Sequence, residues 1–100
     1  MFIDFGASAH MVNDGDCLEN KKELLRKHLI KVADSRLVLA IAKGTINLST
    51  GNKVFKLEDV LLVPKLDANL VSATKLVSKG YKIILDDTIE SQVTLLLPGE

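Results

Sequence analysis

Ile46-Asn47-Leu48-Ser49-Thr50-Gly51-Asn52-Lys53-Val54-Phe55-Lys56-Leu57 decides the fold. Before Gly51-Asn52, apolar and polar residues alternate with period two, the mark of a half-buried strand. Gly51-Asn52 is a two-residue hairpin connection of the II′ kind, with glycine at the first central position. Counting outward from it pairs Leu48 with Phe55 and Ile46 with Leu57. Both apolar pairs then fall on one face. Turn and alternation agree on one register, which predicts an antiparallel hairpin.

The same β character extends both ways from this hairpin. Val60-Leu61-Leu62-Val63 predicts an apolar strand that Pro64 stops. Upstream, Lys43-Gly44-Thr45 leads into the hairpin. Before it, Leu29-Ile30-Lys31-Val32 and Leu37-Val38-Leu39-Ala40-Ile41 flank the polar turn Ala33-Asp34-Ser35-Arg36, which predicts a second hairpin. Residues 17–27 are rich in Leu, Glu and Lys. They read either as a helical turn or two, with Asp16 as N-cap and Glu19 at the third helical position, or as a solvated loop. Asn13-Asp14-Gly15-Asp16 is a turn cluster, and residues 1–4 and Met11-Val12 are short strands. After a polar loop at 65–69, Leu70-Val71 is a short buried strand. Ser72 then caps a helix over 73–79, and Gly80 stands where a left-handed stop is wanted. Residues 81–85 and 93–97 are two further strands around Asp86-Asp87. About seven short strands and one late helix in a 100-residue chain predict a small all-β, closed-barrel domain.

Composition narrows the function. The apolar fraction of 47% suffices for one core, but the chain is near the lower end of self-sufficiency. Thirteen basic and thirteen acidic side chains cancel, so the footprint of a phosphate-backbone binder is missing. With no Trp and one Tyr there is little to stack on single-stranded bases. No direct nucleic-acid binding is therefore expected. Cys17 is the only cysteine. It excludes an intrachain disulfide and a cysteine-rich metal site, and reads as a spare thiol suited to a reducing compartment. The apolar runs are too short for a membrane span and residues 1–4 lack a basic leader, so a soluble, unsecreted domain is expected. No cofactor and no metal are expected. His10 and His28 stand without a cluster of ligands and read as structural or surface residues. The basic residues Lys21, Lys22, Arg26, Lys27 and Lys31 alternate with Glu19 and Glu23 as a solvated face.

The chemistry-bearing stretch is Phe2-Ile3-Asp4-Phe5-Gly6-Ala7-Ser8. An apolar strand ending in Asp, with Gly two positions later to let the backbone turn, holds a carboxylate at the floor of a cleft. One carboxylate does little alone. Two that face each other share a proton, because like charges at about 3 Å cannot both ionise. The chain has one such loop, so a dyad requires a second copy, most simply from a two-fold-related subunit. On its own, Asp-x-Gly is equally an Asp in a strand-to-turn corner bonded to its own backbone.

The remaining motifs carry a resemblance. Asp4-Phe5-Gly6-Ala7-Ser8-Ala9-His10-Met11 resembles the Asp-Ser-Gly-Ala-Ser-x-His-Met of the protease domain of copia-type LTR retrotransposon polyproteins, a retropepsin-like family. Ile30-Lys31-Val32-Ala33-Asp34, Lys43-Gly44-Thr45 and Leu57-Glu58-Asp59-Val60-Leu61-Leu62-Val63-Pro64 resemble its later motifs in order and spacing. So do Asn69-Leu70-Val71-Ser72, Lys75-Leu76 and Lys79-Gly80-Tyr81.

The resemblance implies an aspartic endopeptidase that hydrolyses peptide bonds of a polyprotein as a homodimer. It also implies a cytoplasmic setting, virus-like particles included. Asp4 would be the catalytic aspartate and Gly6 would let the loop approach its mate. The turn from Asp34 to Arg36 and the strand from Leu37 to Ile41 would form a flap over the substrate. The substrate-binding residues implied are Gly6, Ala7, Asp34, Ser35, Leu37 and Val38. One departure stands out: the family has Ser or Thr after the catalytic Asp, and this chain has Phe5. The chain also enters its leading motif at once and reads as a single domain, residues 1–100, cut from a longer polyprotein. The alternative is a barrel derived from such a protease that has lost activity and serves as a dimerisation or interaction module.

Overall fold

The hairpin read from residues 46–57 sits inside longer strands than its period suggests. The computed structural model describes residues 2–4, 6–32, 35–50, 53–86 and 92–96. Among them are eight strands: β1 Phe2–Asp4, β2 Met11–Val12, β3 Glu19–Lys31, β4 Leu37–Thr50, β5 Lys53–Leu62, β6 Leu70–Ser72, β7 Lys82–Asp86 and β8 Gln92–Leu96. One α-helix, α1 Ala73–Ser78, follows β6, and a 3₁₀ turn, Gly15–Cys17, precedes β3. The fold is all-β and barrel-like. Six strands make one sheet in the order β1-β6-β2-β5-β4-β3, and β7 pairs with β8 separately.

β4 and β5 are antiparallel, with Leu48 opposite Phe55, Ile46 opposite Leu57 and Thr50 opposite Lys53. This is the expected register, although Gly51 and Asn52 themselves lie outside the described residues. Ile46, Phe55 and Leu57 are buried. Two expected breaks are absent. The run after Lys43-Gly44 continues the preceding strand, and Val60 continues the strand from Lys53. A β-bulge does the work of those breaks. Gly44 pairs with Val60 and Ile46 with Leu57, so Glu58 and Asp59 together face Thr45. Asp59 takes the left-handed conformation, φ 53°, which Asp tolerates better than most residues. A bulge bends its strand and raises local twist, so the sheet turns here without ending.

Residues 17–27 correct both sequence readings: Cys17 closes the 3₁₀ turn, and from Glu19 onward the chain is neither α-helix nor loop. Residues 19–31 are the edge strand β3, paired antiparallel along β4. Its composition leans towards helix, but only Leu24 and Ile30 turn partly inward, so a helix would gain little burial. The backbone groups of a 14-residue β4 need partners on that side, and the strand supplies them. Misfit is absorbed by register shifts between Glu19 and Lys22 and between Glu23 and His28. The first uses Asn20 at φ 53°, and the second leaves Leu25 fully exposed. The cap also differs from expectation: Asp14, not Asp16, accepts the capping bond, from the Asp16 N–H at 2.9 Å.

The short strands close the interior. β2 runs parallel to β5 and antiparallel to β6, while β1 runs parallel to β6 with Asp4 opposite Ser72. One apolar cluster centres on Val12, Leu57, Val60 and Leu76, and a second on Met11, Val38, Ala40, Val63 and Leu66. α1 begins as expected, with Ser72 Oγ accepting the Lys75 N–H at 3.2 Å. It ends at Ser78 with Lys79 as C-cap, and Gly80, φ 94°, supplies the left-handed stop.

Candidate functional site

Asp4 ends β1, and its Oδ1 accepts the Gly6 N–H at 2.7 Å. That bond turns the chain out of the strand and fixes the carboxylate at the turn. Ala7 follows, buried, and its carbonyl accepts from Ser72 Oγ at 2.7 Å and from Thr74 Oγ1 at 3.3 Å. His10 is only 2% exposed, and its Nδ1 accepts the Ser72 N–H at 2.9 Å. Nδ1 therefore carries no proton, and the ring hydrogen sits on Nε2. Burial first, and the Lys75 ammonium second, push the His10 pKa down to about 4. Its imidazole is neutral at neutral pH. The loop from Asp4 to Met11 is thus held by Ser72 at two points and by β1 and β2 at its ends.

A groove of about 690 Å³ opens beside this loop, lined by Asp4, Gly6, Ala7 and Met11. Its far wall comes from the β3–β4 hairpin through Ile30, Lys31, Val32, Ser35 and Arg36. The hairpin tip is closed by two backbone bonds of 2.9 Å, Val32 N–H to Arg36 O and Ser35 N–H to Val32 O. Ser35 adopts φ 65°. Arg36 Nη2 donates to Asp67 Oδ2 at 3.0 Å, joining the tip to the loop after β5.

Of the residues the sequence singled out, Asp4, Gly6, Ala7 and Ser35 line one groove. Leu37 and Val38 do not. Val38 is 4% exposed and packs with Met11, Ala40, Val63 and Leu66, while Leu37 is 58% exposed on the opposite face. Successive strand residues alternate faces, so the two cannot share one wall. Asp34 lies outside the described residues. Sequence reading missed the apolar lining of Ile30, Val32, Leu66 and Leu70, although the two-residue spacing of Ile30 and Val32 was a usable signal. Among the described residues no cluster of three or more His, Cys, Asp or Glu could hold a metal.

The family model of the Pol polyprotein, beta-barrel domain, matches residues 1–81. The chain belongs to the Pol polyprotein beta-barrel domain family. It is a domain of a retroelement polyprotein, and the stretch matched runs from the Asp4 loop through Tyr81. No solved structure matches it. Within this Pol β-barrel domain, the two strands β7 and β8 lie after the matched stretch.

Proposed function

We propose that this Pol β-barrel domain is an aspartic endopeptidase of the copia type that cleaves polyprotein chains. Asp4 is its catalytic carboxylate, and Asp4 of a second copy completes the dyad. The observation that carries the reading is the placement of the Asp4 carboxylate, locked by the Gly6 N–H at the edge of a groove. The apolar wall of that groove suits the side chains of an extended peptide.

In the assembled dyad one carboxyl is protonated and its mate ionised. The ionised one takes a proton from a water whose oxygen attacks the scissile carbonyl, while the protonated one gives its proton to the carbonyl oxygen. The resulting diol then collapses with cleavage of the C–N bond, the first carboxyl protonating the leaving amine and the second regaining a proton from the diol. Ser72 and His10 act as positioning residues, fixing the loop that presents Asp4.

Phe5 favours a second reading, an inactive dimerisation or interaction module. A hydroxyl at that position would tie the two loops across the dimer, and a phenyl ring has no donor. The expected outcome is slow cleavage of unfolded polypeptide at mildly acidic pH by the chain as it stands. Phe5→Ser raises both cleavage and dimer content measured by sedimentation, and Asp4→Asn abolishes cleavage in either background. Cleavage that survives undiminished in Asp4→Asn protein removes the assigned mechanism. Absence of cleavage even in Phe5→Ser favours the module.

A further inference from the structure

A second cavity, of about 240 Å³, is lined by His10, Lys56, Glu58, Lys75, Lys79 and Tyr81. Leu57 and Leu76 complete the lining, and its polar groups are rich in donors, His10, Lys56, Lys75 and Lys79 against one carboxylate, with the Tyr81 O–H turned to the Lys56 carbonyl at 3.4 Å. Ser72 occupies His10 Nδ1, so the ring presents Nε2–H, which has no acceptor among the described residues. Lys75 Nζ donates to the carbonyls of Glu58 at 2.8 Å and Asp59 at 3.3 Å. Both carbonyls belong to the β5 bulge, so the ammonium is fixed in place with one N–H unspent. The single carboxylate of the lining, Glu58, lies 3.6 Å from Lys56 Nζ.

Two cations, Lys75 and Lys79, then remain beside a buried neutral imidazole. Burial lowers the basicity of Lys75; Asp59 opposes this, Lys79 adds to it, and Glu58 and Lys43 act more weakly in opposite senses. Lys75 in turn disfavours protonation of His10. The two ammoniums repel each other beside a space large enough for several waters, and a negative charge there relieves that repulsion and accepts the imidazole N–H. We propose that this cavity binds a small oxyanion, a carboxylate or a phosphate, received by His10 Nε2–H and by the Lys75 and Lys79 ammoniums. The bound anion stabilises the fold by mass action and, through Ser72, steadies the loop that carries Ala7. The proposal stands apart from whether Asp4 is catalytic.

Ring NMR signals of the two histidines test it, His28 being an exposed control on β3. Sodium phosphate and sodium acetate are titrated in turn at constant ionic strength against sodium chloride. The expected result is a saturating shift of the His10 signals alone, with its titration midpoint raised from about 4, since a nearby anion favours the imidazolium. Saturation by phosphate only identifies a phosphate ligand, and saturation by acetate identifies a carboxylate. Lys79 is exposed, so Lys79→Ala folds and binds roughly fivefold more weakly, the scale of one partly screened charge. A linear drift shared with His28, equal in chloride and unchanged in Lys79→Ala, overturns the site.

Discussion

Ser72 donates its hydroxyl to the Ala7 carbonyl, receives the Lys75 N–H, and gives its own N–H to His10. It is fully buried, so each bond is costly to leave unmade. The His10 contact sets a pH dependence. The ring titrates at about 4 in the fold against 6.5 in an open chain. A base whose folded pKa is depressed contributes stability that is complete above about 6.5 and is lost as pH falls towards 4. The loss is of order 3 kcal/mol over that window. Urea midpoints measured from pH 7 to pH 4 are expected to fall accordingly. His10→Asn keeps an acceptor and removes the titration, so its midpoints should be lower at pH 7 but flatter with pH. An equally steep decline in His10→Asn would assign the acid sensitivity elsewhere. The same window overlaps the mildly acidic range of the proposed chemistry, so on the acid side activity and stability pull in opposite directions.

At the scale of elements, Gly44 shows what the sheet demands. A Cβ placed there would meet the Glu19 carbonyl oxygen at 2.9 Å and Leu18 Cβ at 3.0 Å. The start of β3 lies against β4 at this point and its backbone cannot yield like a flexible side chain. Gly44→Ala is expected to cost about 1–3 kcal/mol and to lower hydrogen-exchange protection of residues 19–23 ahead of β5. Uniform protection with no change in the thermal midpoint would show that the two strands part more easily than the contact implies. The central hairpin was legible because two independent signals, turn chemistry and alternation, chose one register. β3 was not, because a strand whose side chains nearly all face water carries no period-two pattern, and its Leu, Glu and Lys content favours helix. What places it is the unpaired edge of β4, a tertiary fact. The site divides in the same way. Asp4, Gly6 and Ala7 fall together through local turn chemistry. The His10–Ser72 bond spans 62 positions, and no spacing rule reaches that far. Leu37 and Val38 lie outside the groove: the flap resemblance follows consecutive residues along a strand, and alternation sends neighbours to opposite faces.

On the scale of the whole molecule, the domain carries no net charge, so long-range repulsion does not oppose association of two copies. Its β3–β4 hairpin exposes Leu29 directly opposite Leu39, with Leu37 also exposed. The groove and the Asp4 loop each belong to one chain, yet the proposed chemistry needs two carboxylates and one chain supplies one such loop. Function on this account is a property of the pair, and association and cleavage should rise together with protein concentration.

The most direct test mixes Phe5→Ser protein with the Phe5→Ser/Asp4→Asn double variant at fixed total concentration and follows peptide cleavage. If each dyad takes one Asp4 from each copy, mixed dimers are inactive. Activity then falls with the square of the fraction of chains that retain Asp4. A fall in simple proportion to that fraction would mean that a single chain carries the whole catalytic centre, and would contradict the shared dyad.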